Sequence, residues 1–204
     1  MAEIERIAET IRTYLGMEFP LLGIKLLTEE VNRDHPPGGR TFCQFVRAVL
    51  EEGREFIITG DDLSCPSAEL ALGFREPRYV DVEPRIKRPV KAVRIGPLQE
   101  ADVVLFFLNP HQVMVLAVLL GGITAEFRGD MALCGEAVAQ VVSTGRPNIS
   151  FLCQGARELA GFQRDEIIVG LPYEMVLRLP ERMSKFASLK SALRGGMAQL
   201  LRRV

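Results

Sequence analysis

Two decapeptides in the chain, CPSAELALGF (residues 65–74) and CQGARELAGF (residues 153–162), share the pattern Cys-x-x-Ala-x-x-x-x-Gly-Phe. The likeness extends upstream. Cys43 precedes Ala48 by five residues, as Cys134 precedes Ala139. Each segment then runs into a Gly-Arg pair, Gly53-Arg54 and Gly145-Arg146, with Ile57 and Ile149 three residues beyond each Arg. Alignment needs one extra residue in the second helix and four fewer in the second strand-to-helix loop. The pattern predicts a duplicated helix–strand–helix unit, and such units pack about a pseudo-two-fold axis as symmetric dimers do. Two cysteines per unit would become four near one axis.

Around this repeat the chain reads as alternating helices and strands. LLGIKLL (21–27) is apolar and strand-like, and NRDHPPGGR (32–40) is a loop. TFCQFVRAVLEEG (41–53) reads as a helix, EFIITG (55–60) as a strand and SCPSAELALGF (64–74) as a short helix. The Pro-punctuated segment 79–98 reads as a link between halves. In the second half, DVVLFFL (102–108) is a buried strand and PHQVMVLAVLLGG (110–122) a helix ended by glycines. ITAEFRG (123–129) is a short strand, DMALCGEAVAQVVSTG (130–145) a helix, NISFLC (148–153) a strand, QGARELAGF a short helix and DEIIVGLP (165–172) a strand. The tail, 173–204, is helical.

The expected fold is α+β: one domain, 1–204, of two similar halves (21–78 and 102–172) joined by 79–101, with a mixed sheet and flanking helices.

Composition narrows the function. The 204 residues are 48% apolar and carry a net charge of −1, so no global field favours nucleic acid. The N-terminal stretch, with Ile4, Ile7, Ile11, Tyr14 and Leu15, is an amphipathic helix and not a signal peptide. The longest apolar tract, 103–120, is broken by Asn109, Pro110, His111 and Gln112 and reads as a strand and a helix, not a membrane span. The expected location is the cytoplasm, where structural disulfides are rare. The four cysteines therefore need another role, or fill space as buried thiols do.

Their local settings agree. Thr41 and Gln44 form a T-x-x-Q capping box that places Cys43 in the first turn of its helix. Asp130 is a cap that puts Cys134 at the end of its first turn. Pro66 favours the first helical position, so Cys65 lies near a cap, and Cys153 is its equivalent. Helix starts present unpaired N–H groups and a positive dipole end, which lower a thiol's pKa. A joint thiolate site of Cys43, Cys65, Cys134 and Cys153 would suit an Fe–S cluster or zinc. No spacing is C-x-x-C, so no zinc or ferredoxin motif is present.

The layout FCQ…LSC…LGF…ALCGEA…TGRPNISFLCQGAR…DEIIVGLP resembles the uncharacterised prokaryotic family termed domain of unknown function 169, which occurs largely in archaea and anaerobic bacteria. The resemblance implies that the cysteines and the C-x-G-x-R segment are family features, and implies no reaction.

Other polar residues stand near the cysteines. Arg157 could pair an anion at a helix start or face solvent. His35 lies in a Pro-Gly loop. His111 opens a helix at a strand's end, where ligands bind in α/β layers. Glu136, Asn148 and Ser150 line a pocket or cap and turn. No P-loop, G-x-G-x-x-G, H-E-x-x-H or Ser-His-Asp pattern is present.

Three functions stay open. The first is a thiolate site holding a cluster or soft metal for redox or sensing. The second is a metal-free small-molecule binding or regulatory module with core-packing cysteines and a seam pocket near Asn109, His111 and Gln112. The third is a thiol enzyme with paired cysteines, one per half. The basic amphipathic tail, 181–204, carries six Lys or Arg and one Glu. Its apolar stripe, including Met183, Phe186, Leu189 and Leu193, should dock on the domain or on a second subunit, with a weak point at Gly195-Gly196. A homo-oligomer through this helix is the expected assembly.

Overall fold

The computed structural model of the chain describes residues 2–32, 38–78, 83–128 and 131–187. The Asp130 cap, His35 and the tail beyond residue 187 lie outside them. The elements follow in order as α1 (Ala2–Leu15), β1 (Leu22–Leu27), α2 (Phe42–Glu52), β2 (Phe56–Ile58), a 3₁₀ turn (Gly60–Asp62), α3 (Pro66–Ala71) and β3 (Ala92–Pro97). The second half contains β4 (Val103–Leu108), α4 (Pro110–Leu120), a π-helix (Leu133–Ala139) continuing into α5 (Gln140–Thr144), β5 (Asn148–Ser150), α6 (Gln154–Ala160), β6 (Ile167–Pro172) and α7 (Tyr173–Leu177). Helical turns continue over 179–187.

The fold is α+β around one six-stranded sheet of order β2-β3-β1-β4-β6-β5. Every pairing is antiparallel, which corrects the expected mixed sheet. In fact the later strand β3 inserts between β1 and β2 and runs against both. β3 lies inside the segment read as a connection. Its short alternation, Val93 and Ile95 inward with Arg94 outward, was hidden between prolines. Residues 123–128 form no strand.

The order reads alike from either edge, and the registers follow. Leu22 faces Pro97 as Val103 faces Pro172. Phe56 faces Ile95 as Asn148 faces Gly170, so Ile57 and Ile149 correspond, as in the sequence alignment. At the seam, Leu22 faces Leu105, Gly23 faces Val104 and Ile24 faces Val103. Exchanging the halves maps this set of pairs onto itself, with Gly23 and Val104 at its centre.

The sheet divides the apolar residues into two cores. One face carries Leu22, Ile24, Val93, Ile95, Val103, Leu105, Phe107 and Ile168, covered by α2, α3, the π-helix, α5 and α6. The opposite face of β4 and β6 (Val104, Phe106, Leu108, Val169, Leu171) is covered by α1, α4, α7 and the 179–187 turns. β4 is buried along its whole length, which explains its unbroken apolar run. Each such large side chain contributes about 1.5–3 kcal/mol by leaving water. The same face of the first half instead presents Lys25 and Arg94, paired with Glu100 and Glu55. The outer helix layer is thus where the halves differ. Among the described residues, no helix is long and apolar enough to cross a membrane.

Candidate functional site

The cysteine region is built from helix starts. The Thr41 hydroxyl accepts from the Gln44 N–H at 3.2 Å, and the Gln44 carboxamide oxygen accepts from the Thr41 N–H at 2.9 Å. This capping box begins α2 so that Cys43 points into the core, 6% exposed. Cys65 is the N-cap of α3, with Pro66 in the first helical position, and Cys153 is the N-cap of α6. Neither thiol caps its own helix. Cys134 is the second residue of the π-helix and 3% exposed.

The π-helix coincides with an offset between the two similar segments. The second carries one more residue than the first between its leading cysteine and its Gly-Arg pair. A helix absorbs one added residue by widening a turn, so that a donor reaches back five residues instead of four. Here the Gln140 N–H reaches the Gly135 carbonyl. The widened turn presses on β6. A Cβ built on Gly170 would stand 1.9 Å from the Ala137 carbonyl oxygen, so only glycine fits there.

The four thiols share one core. Cys43 and Cys134 are buried in it, and Cys65 and Cys153 pack against it half-buried. The helices cross between halves: α2 packs on α6, and α3 on the π-helix. Cys153, Cys134 and Cys65 all stand within electrostatic reach of Cys43. Among the described residues, no group of three or more His, Cys, Asp or Glu is arranged to hold a metal ion.

The pattern of the family described as uncharacterised ArCR, domain of unknown function 169, matches residues 10–87 and 78–182. The chain belongs to this family. A relative, the uncharacterised protein MJ0308 of Methanocaldococcus jannaschii, is 25% identical over 223 residues, which cover 90% of this chain and 95% of the relative. No solved structure gives a significant match.

In this family member the helix start does not make Cys43 a thiolate, which corrects the expectation. The adjacent Cys153 thiol, then burial, then the other neighbouring thiols push its pKa well above the ordinary thiol range. Each favours the neutral form, and together they outweigh the dipole. The sign for stability follows. The raised value contributes stability that is whole below the pKa of an unfolded thiol, about 8.5. That contribution is lost as pH rises from there through the folded value. The reduced, metal-free protein should therefore lose stability above that pH more steeply than its Cys43→Ala variant, by up to about 1.4 kcal/mol per pH unit. Urea denaturation of both proteins from pH 7.5 to 10 measures this, and parallel slopes would contradict it.

The other polar residues mostly tie loops. Asn148 accepts from the Glu126 N–H at 2.9 Å and donates to the Glu126 and Glu136 carbonyls at 3.0 Å. Glu136, 1% exposed, accepts from the Arg128 N–H at 3.0 Å. Ser150 donates to the Met131 carbonyl and accepts from the Leu152 N–H. It thereby holds two non-glycine residues at positive φ, Met131 at 56° and Leu152 at 69°. Such conformations cost of order 1 kcal/mol or more and persist only where neighbours enforce them. Arg157 donates through Nη2 to the Phe151 and Glu166 carbonyls, and its buried Nη1 has no hydrogen-bond partner.

A second feature lies at the seam. A cleft of about 550 Å³ is lined by Phe19, Arg47, Phe107, Asn109, Gln112 and Glu166, among others. Asn109 and Gln112 form the capping box of α4, and Gln112 also donates to the Gly16 carbonyl at 2.7 Å. His111 is exposed beside this cleft and not in its lining.

Sequence reading passed over Arg47 at its wall. Arg47 pairs with Glu166 at 2.9 Å, with the side chains only 11% and 14% exposed. It also donates to the Ala160 and Gly161 carbonyls at the end of α6, and its guanidinium carbon lies 4.2 Å from the Phe162 ring and 5.3 Å from that of Phe19. The available signal was its place one turn after Cys43, on the helix face that packs inward.

Proposed function

We propose that the protein works through its four-cysteine site at the junction of two duplicated halves. In this reading Cys43, Cys65, Cys134 and Cys153 take up an Fe–S cluster or another soft metal for redox or sensing chemistry in the cytoplasm. The observation that supports it is that all four cysteines lie in or against one hydrophobic core, two from each half. Thiolates are the ligands such groups prefer. Duplication is supported by the repeated cysteine spacing and by a strand order and register that read alike from both edges.

The ligand set is not pre-arranged, and Cys43 is held as a thiol. Loading must draw the sulfurs together and release protons, so affinity should rise with pH. Arg157, one turn after Cys153, would offset the charge of a loaded site by turning from the Phe151 and Glu166 carbonyls that it binds.

The test is anaerobic reconstitution of reduced protein with ferrous iron and sulfide, and separately with zinc. The expected results are stoichiometric uptake, a brown colour with broad visible absorption for the cluster, and loss of both in Cys43→Ala and Cys134→Ala. Absence of uptake at pH 8 by folded, fully reduced protein would overturn the reading.

The seam cleft favours a second reading, a metal-free small-molecule binding or regulatory module with Asn109 and Gln112 at its site. In that case the cysteine variants leave function intact and substitutions at Gln112 do not. The homo-oligomer through the C-terminal helix belongs to the same proposal. Truncation after Arg194 should change the oligomeric mass.

A further inference from the structure

One connection differs sharply between the halves. Seventeen residues, 75–91, link Phe74 to β3, whereas four, 163–166, link Phe162 to β6. The last part of the long connection, PRIKRPVK (84–91), lies against α3, α5 and the end of β1. The Ile86 N–H donates to the Ala71 carbonyl at 2.8 Å, the Ser143 hydroxyl to the Arg85 carbonyl at 3.4 Å and the Lys91 N–H to the Leu27 carbonyl at 2.8 Å. A Cβ on Gly73 would stand 2.8 Å from the Ile86 carbonyl oxygen. Strand register, the shared Cys-x-x-Ala-x-x-x-x-Gly-Phe and the Gly-Arg pairs match Leu27 with Leu108, Gly73 with Gly161 and Ser143 with Glu51. All three counterparts line the seam cleft of about 550 Å³. A Cβ on Gly161 would meet nothing within 4 Å among the described residues. Leu159, the counterpart of Ala71, is 57% exposed, where Ala71 is 1% exposed. The place that the first half fills with its own chain is thus open in the second.

We propose that the seam cleft is a docking groove for a basic segment of a partner protein, which lies there as residues 84–91 lie in the other half. The chemistry of the occupant follows from both grooves. The internal segment carries Arg85, Lys87, Arg88 and Lys91, has no acidic residue, and buries Ile86 and Val90. In the seam cleft Arg47 is paired with Glu166, which leaves Glu18, Glu51 and Asp165 as the uncompensated charges of the lining. Phe19, Phe107 and Leu108 supply an apolar wall for an Ile-like side chain. Main-chain hydrogen bonds hold such segments and side-chain pockets select them. Here the Leu159 carbonyl would receive the N–H that Ala71 receives from Ile86. Complementary charge favours a basic partner over an acidic one. The C-terminal turns of the protein are held elsewhere, because Arg182 donates to the Leu119 and Leu120 carbonyls at the other end of α4 from Asn109 and Gln112. The inference rests on the correspondence of the halves and deepens the second reading above, in which this cleft is the regulatory site. It does not involve the cysteines.

The probe is the protein's own segment 84–91 as a free, fluorescently labelled peptide, capped at both ends. It is titrated with the full chain and read by fluorescence polarisation. The expected result is saturable one-to-one binding. The double variant Glu51→Lys/Asp165→Lys should weaken it about ten-fold or more, whereas Glu3→Lys/Glu5→Lys should leave it within about two-fold. Both variants change the net charge equally and alter only exposed carboxylates, but Glu3 and Glu5 lie at the other end of α1 from the cleft. A peptide with Ile86→Asp should bind about ten-fold more weakly, because it loses its apolar anchor. Absence of saturable binding, equal weakening by the two double variants, or equal binding of the Asp peptide would overturn the proposal. If the peptide fails to bind while a Gln112 substitution still impairs function, this inference falls and the second reading stands.

Discussion

A single methyl group at residue 170 should cost the protein most of its stability. In β6 this glycine lies beneath the π-helix, and a Cβ would stand 1.9 Å from the Ala137 carbonyl oxygen and 2.9 Å from its carbon. The obstacle is backbone in a buried turn, so no side chain can swing aside. The π-helix would have to lift from the sheet, pulling Cys134 and Glu136 with it, or β6 would have to leave its pairings with β4 and β5. Ordinary overpacking costs about 1–3 kcal/mol. This contact is closer than ordinary overpacking, and a domain holds only about 5–15 kcal/mol in total. Gly170→Ala should lose more than about 3 kcal/mol in urea denaturation, or fail to fold. A loss below 1 kcal/mol would mean that the helix does not sit so close.

Arg47→Ala should be the next most damaging change. The substitution leaves Glu166 without its cation in a site that is mostly closed to water. It also strips two carbonyls at the end of α6 of their donor and removes the flat group lying between Phe19 and Phe162. Breaking a buried pair by deleting one partner typically costs about 3–5 kcal/mol, and the residual exposure here argues for the lower end. The double variant Arg47→Met/Glu166→Gln should recover much of the loss, because it leaves no unpaired charge. If the single and double variants melt alike, the ion pair is not what α6 leans on.

Much of this was legible from local chemistry. Thr41 and Gln44 announced a helix start, Gly53 and Gly145 announced helix ends, and the apolar run of β4 announced a strand covered on both sides. The one-residue offset in the repeat was visible too, but an alignment cannot say whether a helix will bulge, loop out or kink. What local patterns could not supply was the partner of each strand. β3 was hidden because its alternation is short and lies next to prolines, and its insertion between β1 and β2 is decided by long-range pairing. The expectation of a thiolate at Cys43 erred for a similar reason. A helix start lowers a thiol's pKa only when the dipole is the largest influence, and at Cys43 the Cys153 thiol, burial and the two other thiols outweigh it. Arg47 and Gly170 were passed over because both act through contacts more than thirty residues away.

The two outermost strands, β2 and β5, are three residues long, whereas the four between them have six. An open sheet is a template on which another chain can add a strand, and the hazard grows with the length of unpaired backbone on offer. Here that length is short at both ends. The protein should therefore stay dispersed at concentrations where a sheet with full-length rims would begin to grow into fibres. A variant that extends β2 or β5 by a few apolar residues should be the first to precipitate.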